Sequence, residues 1–398
     1  MASRNHMRIF VASLLLLVFL IGCVSSTRQT AVVGPSSPGG SPIFTATALD
    51  GTTAAQTPTI MESAMRFDRR CIVSGPLSRE DPIGPGTILF EESGALRATR
   101  GSLEEASEPP YSIGPTLHVA SDGSMVAVTH VEGPTPHVVV MALDGRILTE
   151  FEWNPAYPAV PSYGLTWSTS DWLIIRLGGA AFYVWPSTGS ARGTIQFPPD
   201  ASEVFLNSAL TREVVQDGYR TLSMIDPWSG DVIADLGTAA LSLARPAWSP
   251  DGSLFAFTVE SGDRNQYEDI YLVDDEAIGG QVTEFRDRFT DFDIRMLQWS
   301  PDGRYIAMWA RTHPPSDVGL GERLDFFVFD VPSRTLLDFC LSRIFRYGVG
   351  NDFAAFWAPD STSVIVPIFT DTPQLVIDIS TGEAREIPVG ISVWAWGP

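Results

Sequence analysis

Short apolar runs closed by Gly, Pro, Asp or Ser recur along most of this chain, the spacing of strands joined by tight turns. One stretch shows the pattern most plainly: Trp248-Ser249-Pro250-Asp251-Gly252, followed at once by Ser253-Leu254-Phe255-Ala256-Phe257. Pro presets a turn's backbone angle, Asp bonds backbone two residues on, and Gly takes the left-handed conformation. The stretch therefore predicts strand, tight turn, strand, with a β-prone run leaving the turn.

The block recurs. Val119-Ala120-Ser121-Asp122-Gly123 matches it turn for turn, and Trp299-Ser300-Pro301-Asp302-Gly303 almost letter for letter. Trp357-Ala358-Pro359-Asp360-Ser361 is a copy with the Gly lost, and Trp167-Ser168-Thr169-Ser170-Asp171 is a weaker one. The double interval between 167 and 248 calls for a degenerate copy near Leu206-Asn207. A second signature supplies it, an apolar strand running into an acidic or small-residue turn. It occurs at Val138–Gly145, Phe182–Trp185, Leu222–Asp226, Ile270–Asp274, Phe326–Asp330 and Val376–Asp378. Six units follow, each with room for about four short strands.

These two alternating signatures resemble the TolB-like, WD-repeat-like family of β-propellers. The resemblance spans most of residues 86–398 and departs near 206, where the turn residues are absent. It implies an all-β β-propeller. The chain ends in Val393-Trp394-Ala395-Trp396-Gly397-Pro398, one further period past Trp357, while Thr87–Glu91 and Ala95–Ala98 look like second and third strands lacking a first. A closing blade shared by both chain ends removes the free edges at that seam. We therefore expect seven four-stranded blades within residues 61–398, with six or eight as the alternatives.

The amino-terminal region has a different character. Arg4 and Arg8 precede an apolar run from Ile9 to Ile21, a signal-peptide pattern too short for a comfortable membrane span. It ends in Leu20-Ile21-Gly22-Cys23, which resembles the lipobox of bacterial lipoproteins. That resemblance implies removal of residues 1–22, lipidation of Cys23 and an extracytoplasmic domain anchored to the bacterial cell membrane. Residues 23–60 are rich in Ser, Thr, Pro, Gly and Ala and form a flexible tether reaching on the order of 30 Å.

Charge and cysteines sharpen this picture. All 26 basic residues are Arg, against 47 acidic ones, for a net charge of −21. Without Lys there is no Schiff-base, Ser-Lys or P-loop chemistry, and the acid excess excludes nucleic acid as a partner. Two cysteines remain in an oxidising compartment, so a Cys71–Cys340 disulfide is expected, strapping the amino-terminal segment to the ring.

Candidate chemistry is sparse. No G-x-S-x-G, H-E-x-x-H or C-x-x-C motif occurs. His130 and His137 flank a turn and read as solvated. Glu284, Asp287, Asp291 and Asp293 lack EF-hand spacing, and Asp263–Asp269 and Asp274–Glu276 read as solvated loops. We assign no catalytic residue, metal or cofactor. The long interruption from Thr312 to Gly321 is the candidate recognition loop, with His313, Asp317 and Leu320 its distinctive side chains. The expected function is a monomeric, non-enzymatic binding or scaffold module for a protein or envelope component. The alternative is an extracytoplasmic hydrolase or lyase with its active site at the propeller mouth.

Overall fold

The computed structural model describes residues 65–398 except 94, 109–116, 121–122, 133–134, 153–164, 168–171, 178–179, 185–190, 197–200, 240–243, 262–266, 313–321, 346–354 and 367–372. Cys23, the tether, and the loop residues His313, Asp317 and Leu320 lie outside them.

The described strands form seven sheets, numbered here in chain order. Sheet 1 holds Leu117–Val119, Met125–Glu132, Thr135–Ala142 and Ile147–Glu152. Sheet 2 holds Leu165–Trp167, Leu173–Leu177, Ala180–Val184 and Ala191–Gln196. In sheet 3 the strands are Ala201–Leu206, Glu213–Asp217, Thr221–Ile225 and Val232–Thr238. Sheet 4 contains Ala247–Trp248, Leu254–Ser261, Tyr267–Asp274 and Gly279–Gln281. Sheet 5 runs through Asp293–Trp299, Tyr305–Arg311, Glu322–Asp330 and Thr335–Phe345, and sheet 6 through Phe356–Trp357, Ser363–Val366, Leu375–Asp378 and Glu383–Glu386. Sheet 7 joins Ile391–Gly397 to Thr87–Glu92 and Ala95–Thr99.

The two fullest copies of the repeated turn build this frame by the same chemistry, while Ala120 and Ala358 replace the serine in two others. Ser249 Oγ donates to Asp251 Oδ1 (2.6 Å) and accepts from Leu254 N–H (3.0 Å); Ser300 does the same with Asp302 (2.6 Å) and Tyr305 (2.8 Å). Gly252 and Gly303 close their turns at φ +73° and +69°, where a Cβ is disfavoured. The tryptophan before each turn ties neighbouring sheets together. Trp248 Nε1 donates to Phe205 O (2.9 Å), Trp299 to Ala247 O (3.1 Å) and Trp357 to Gln298 O (3.4 Å), each across to the inner strand of the preceding sheet. These tryptophans are buried, and their role is packing with a satisfied indole N–H.

Apolar clusters fill the spaces between successive sheets. Leu173 of sheet 2 packs with Val138 and Val140 of sheet 1; Leu206 of sheet 3 packs with Trp172 and Ile174 of sheet 2. Phe205 and Met224 of sheet 3 meet Phe255 and Phe257 of sheet 4, and Leu272 of sheet 4 meets Met308 and Phe327 of sheet 5. Trp309 and Phe326 meet Val364 and Ile377 of sheet 6, and Ile365 meets Phe90 and Trp396 of sheet 7. Leu89 and Ala395 of sheet 7 then pack on Val126 and Met141 of sheet 1. The succession returns to its start, and the fold is an all-β β-propeller.

Both chain ends complete it. Ile391–Gly397 runs antiparallel to Thr87–Glu92, with Trp396 opposite Ile88, so the last strand of the chain is the inner strand of sheet 7. Four strands per sheet is not uniform. Sheet 7 has three described strands, extended by an isolated Ala98–Ser107 bridge, and sheets 5 and 6 have five. The extra strands come from one segment. Arg66–Arg69 adds in parallel to Thr335–Phe345 on the outer edge of sheet 5, and Val73–Pro76 adds in parallel to Glu383–Glu386 on sheet 6. Between them Cys71 is disulfide-bonded to Cys340, with Cα atoms 4.7 Å apart. Cys340 lies in a bulge, because Phe326 pairs with Leu341 while Phe327 pairs with Asp338, and it adopts φ +55°. The expected disulfide is present, and the strap it fastens is a strand-by-strand cover over two sheet edges.

Candidate binding surface

The strap also makes a groove. Its lining comes from Arg66, Phe67, Asp68 and Arg70 of the strap, Arg304, Tyr305, Asp330, Ser333, Thr335 and Leu337 of sheet 5, and Ser380 of sheet 6. The volume is about 600 Å³, within the range of small-ligand sites. On one wall Arg70 is ion-paired with Asp68 (2.7 Å) and donates through Nη1 to the Ile379 and Ser380 carbonyls, both at 2.8 Å. This guanidinium spans from the strap to sheet 6 and fixes that wall.

On the other wall Arg304 donates to both oxygens of Asp330, at 3.0 and 3.3 Å. Arg304 follows directly on the Gly303 turn, and Asp330 ends the strand paired with Tyr305, so the repeat itself brings them together. Its hydrogen bonds to Asp330 raise the Arg304 pKa further above its already high value. The Arg304 guanidinium lies 4.8 Å from the Tyr305 ring centre, and Tyr305 stacks on Trp357 at 5.9 Å. Burial is the main cause that raises the Tyr305 phenol pKa, so the ring stays neutral. Three arginines against two aspartates give the groove a local positive balance in an acidic protein. Fixed guanidinium–carboxylate pairs with hydroxyls between them can bind a polar ligand by several directed hydrogen bonds.

At the opposite end of sheet 5 the roots of the candidate recognition loop are pinned by charge. Asp325 accepts hydrogen bonds from Thr312 Oγ1 and Ser342 Oγ, and Arg323 donates to Ser342 Oγ at 2.9 Å. Arg311 is ion-paired with Asp293 (2.9 Å) and Asp291 (3.5 Å), and Arg295 with Asp293 (2.8 Å). Two of the carboxylates considered as oxygen ligands thus have arginine partners, and Glu284 pairs with Arg286 at 3.0 Å. Among the described residues no group of three or more His, Cys, Asp or Glu is placed to hold a metal.

Other sequence readings change with the geometry. Glu268 and Asp269 are buried rather than solvated: Glu268 Oε2 accepts from Ile294 N–H (2.8 Å) and Asp269 Oδ1 from Phe285 N–H (3.0 Å). Both satisfy backbone donors that the sheet leaves over. His130 and His137 flank their turn as expected, in register across the hairpin. Burial lowers the His118 pKa, and its carbonyl accepts from Trp167 Nε1 at 3.0 Å. Nothing local in the sequence marks Arg70 or Tyr305, and Arg304 is marked only as the basic residue after the Gly303 turn.

No protein-family model matches the chain, and no curated protein matches its sequence. Among solved structures it is similar to Kuenenia stuttgartiensis hydrazine synthase, at 14% identity and a TM-score of 0.42 over 66% of this chain and 76% of that one. Similarity to Kluyveromyces lactis Hsv2 with complete loop 6CD is at 11% identity and 0.43, over 66% and 72%. For the complex of KlAtg21 with the coiled coil of AgAtg16 the values are 13% and 0.44, over 69% and 84%. At these identities none of them assigns a role to a residue of this chain.

Proposed function

We propose that this protein is a monomeric, membrane-anchored, extracytoplasmic β-propeller scaffold, one blade to each of the seven sheets, that binds a protein or envelope component without converting it. The anchor is read from the sequence: a lipoprotein signal over residues 1–22, a lipid on Cys23 and a tether to residue 60. The Cys71–Cys340 disulfide suits an oxidising compartment, where such bonds persist.

The observation that carries the binding role is the groove between strap and sheets. Hydrogen bonds from Arg70 and Arg304 hold both walls in place, so little ordering is needed when a ligand enters. Affinity capture of the tethered protein from its native envelope tests the reading, with wild type compared against Arg66→Glu, a change of an exposed groove residue. We expect a specific component to be retained by wild type and lost with the variant. Retention of no component, with turnover in a glycan or ester screen, overturns the reading in favour of a hydrolase or lyase at the propeller mouth.

A further inference from the structure

The geometry points to a second recognition surface, on the outer edge of sheet 3, for an extended partner segment carrying both basic and apolar side chains. It rests on the reading of the protein as a binding module but not on the groove. Eight large apolar side chains are exposed among the described residues, and three of them, Trp228, Val232 and Ile233, fall within six residues on the turn and outer strand of this one sheet. Such a concentration marks an interaction site better than apolar residues scattered singly.

Trp228 is the centre of the argument. In its turn Asp226 Oδ1 accepts from the amides of Trp228 (2.8 Å) and Ser229 (3.0 Å). Asp378 does the same in sheet 6 with the amides of Ser380 (2.9 Å) and Thr381 (2.8 Å). Trp228 therefore stands where a serine serves, and the turn has no need of an aromatic. It is 59% exposed, yet its Nε1 donates to Leu210 O at 3.0 Å. Leu210, at φ +55°, sits in the very turn that has lost the Trp-Ser-Pro-Asp-Gly pattern. The divergent copy thus fixes the orientation of an exposed indole, the kind of preorganised anchor on which interfaces depend.

Among the described residues the edge beside it is open. Val232–Thr238 is hydrogen-bonded to Thr221–Ile225 on one side and is the last strand of its sheet. The register skips Ile233 and Leu236, and these bulges leave Ile233 turned outward at 40% exposure. Elsewhere the same fold accepts extended segments on this kind of edge, since the strap adds in parallel to sheets 5 and 6. Charge selects the occupant. From Thr221 to Ala244 the chain carries Asp226, Asp231 and Asp235 and no basic residue; of the flanking arginines, Arg245 is ion-paired with Glu203 and Arg212 lies near Asp226, which leaves Asp231 and Asp235 as the charges along the strand. A basic segment is drawn to that edge, whereas a second copy of this chain, at −21, meets it with like charge.

The probe is a synthetic peptide of alternating Val and Arg, with its Val/Glu counterpart as control, titrated calorimetrically into the full chain. Hydrogen exchange locates the contact. We expect the Val/Arg peptide to bind and protect Val232–Thr238, and Trp228→Ser to weaken binding at least tenfold with unchanged melting temperature. Ile147→Ser, on the outer edge of sheet 1, and Arg66→Glu, in the groove, should leave it unaltered. Double charge reversal, Asp231→Arg with Asp235→Arg, should transfer preference to the Val/Glu peptide. Equal binding by Trp228→Ser, protection elsewhere, or preference unmoved by charge reversal would each overturn the inference. So would a dimer that Trp228→Ser abolishes in a protein that binds neither peptide.

Discussion

Position 213 shows how much a single side chain can depart from its frame. Glu213 pairs with Leu206 just as Phe255 pairs with Trp248, Ile306 with Trp299 and Val364 with Trp357. Its counterparts are apolar, and it is fully buried with neither carboxyl oxygen hydrogen-bonded. Burial pushes its pKa up to about 8. The unfolded carboxyl loses its proton near pH 4.3, while the folded one keeps it until about 8. Between these values folding takes up a proton, so stability falls as pH rises, by at most about 1.4 kcal/mol per pH unit, and levels off above the folded pKa. Urea unfolding across pH 5–8 should show that slope for wild type and lose it in Glu213→Gln. Glu213→Val, which restores the residue type of the other sheets, should raise the midpoint at pH 8. None of this is legible in Thr211-Arg212-Glu213, which reads as a polar turn until the register places the glutamate inside.

At the scale of elements, what could be read ahead was what local chemistry determines. Asp251, Gly252 and Ser249 make their turn within six residues, so the repeat, its period and the tryptophan anchors were all visible. The strap was not. Arg66-Phe67-Asp68-Arg69 and Val73-Ser74-Gly75-Pro76 have little strand character, and their pairing with residues around 335 and 383 depends on the finished ring. The groove was hidden for the same reason, since its residues lie near 68, 304, 330 and 380. The cysteines alone pointed there. Replacing both, Cys71→Ser with Cys340→Ser, should cost on the order of 2–5 kcal/mol in denaturant unfolding. Hydrogen exchange should quicken first along Val73–Pro76, and denatured, unreduced wild type should show no thiol from this pair.

For the whole molecule, closure is the property on which the rest depends. Sheet 7 receives its inner strand from the last residues of the chain, and Trp396 and Val393 complete the core shared with sheet 6. Deleting residues 391–398 should therefore do more than shorten an end. It opens an unpaired edge at Thr87–Glu92 and uncovers Ile88 and Phe90, so we expect aggregation or loss of cooperative melting in calorimetry. A peptide of residues 391–398 added during refolding should restore part of the transition.

The strap also decides how the ring bears tension. A pull on the chain ahead of Met65 first loads the short ladder between Arg66–Arg69 and the outer strand of sheet 5. That ladder is weak and can peel. Two residues past Arg69 the load reaches Cys71 and passes through a covalent bond into Cys340, on the rim of the ring. Val73–Pro76, Pro85 and the closing seam lie beyond that point along the chain and are shielded from it. The disulfide thus acts as a mooring: tension applied ahead of Met65 costs a few hydrogen bonds, while the propeller is held by its outer wall and keeps its seam shut.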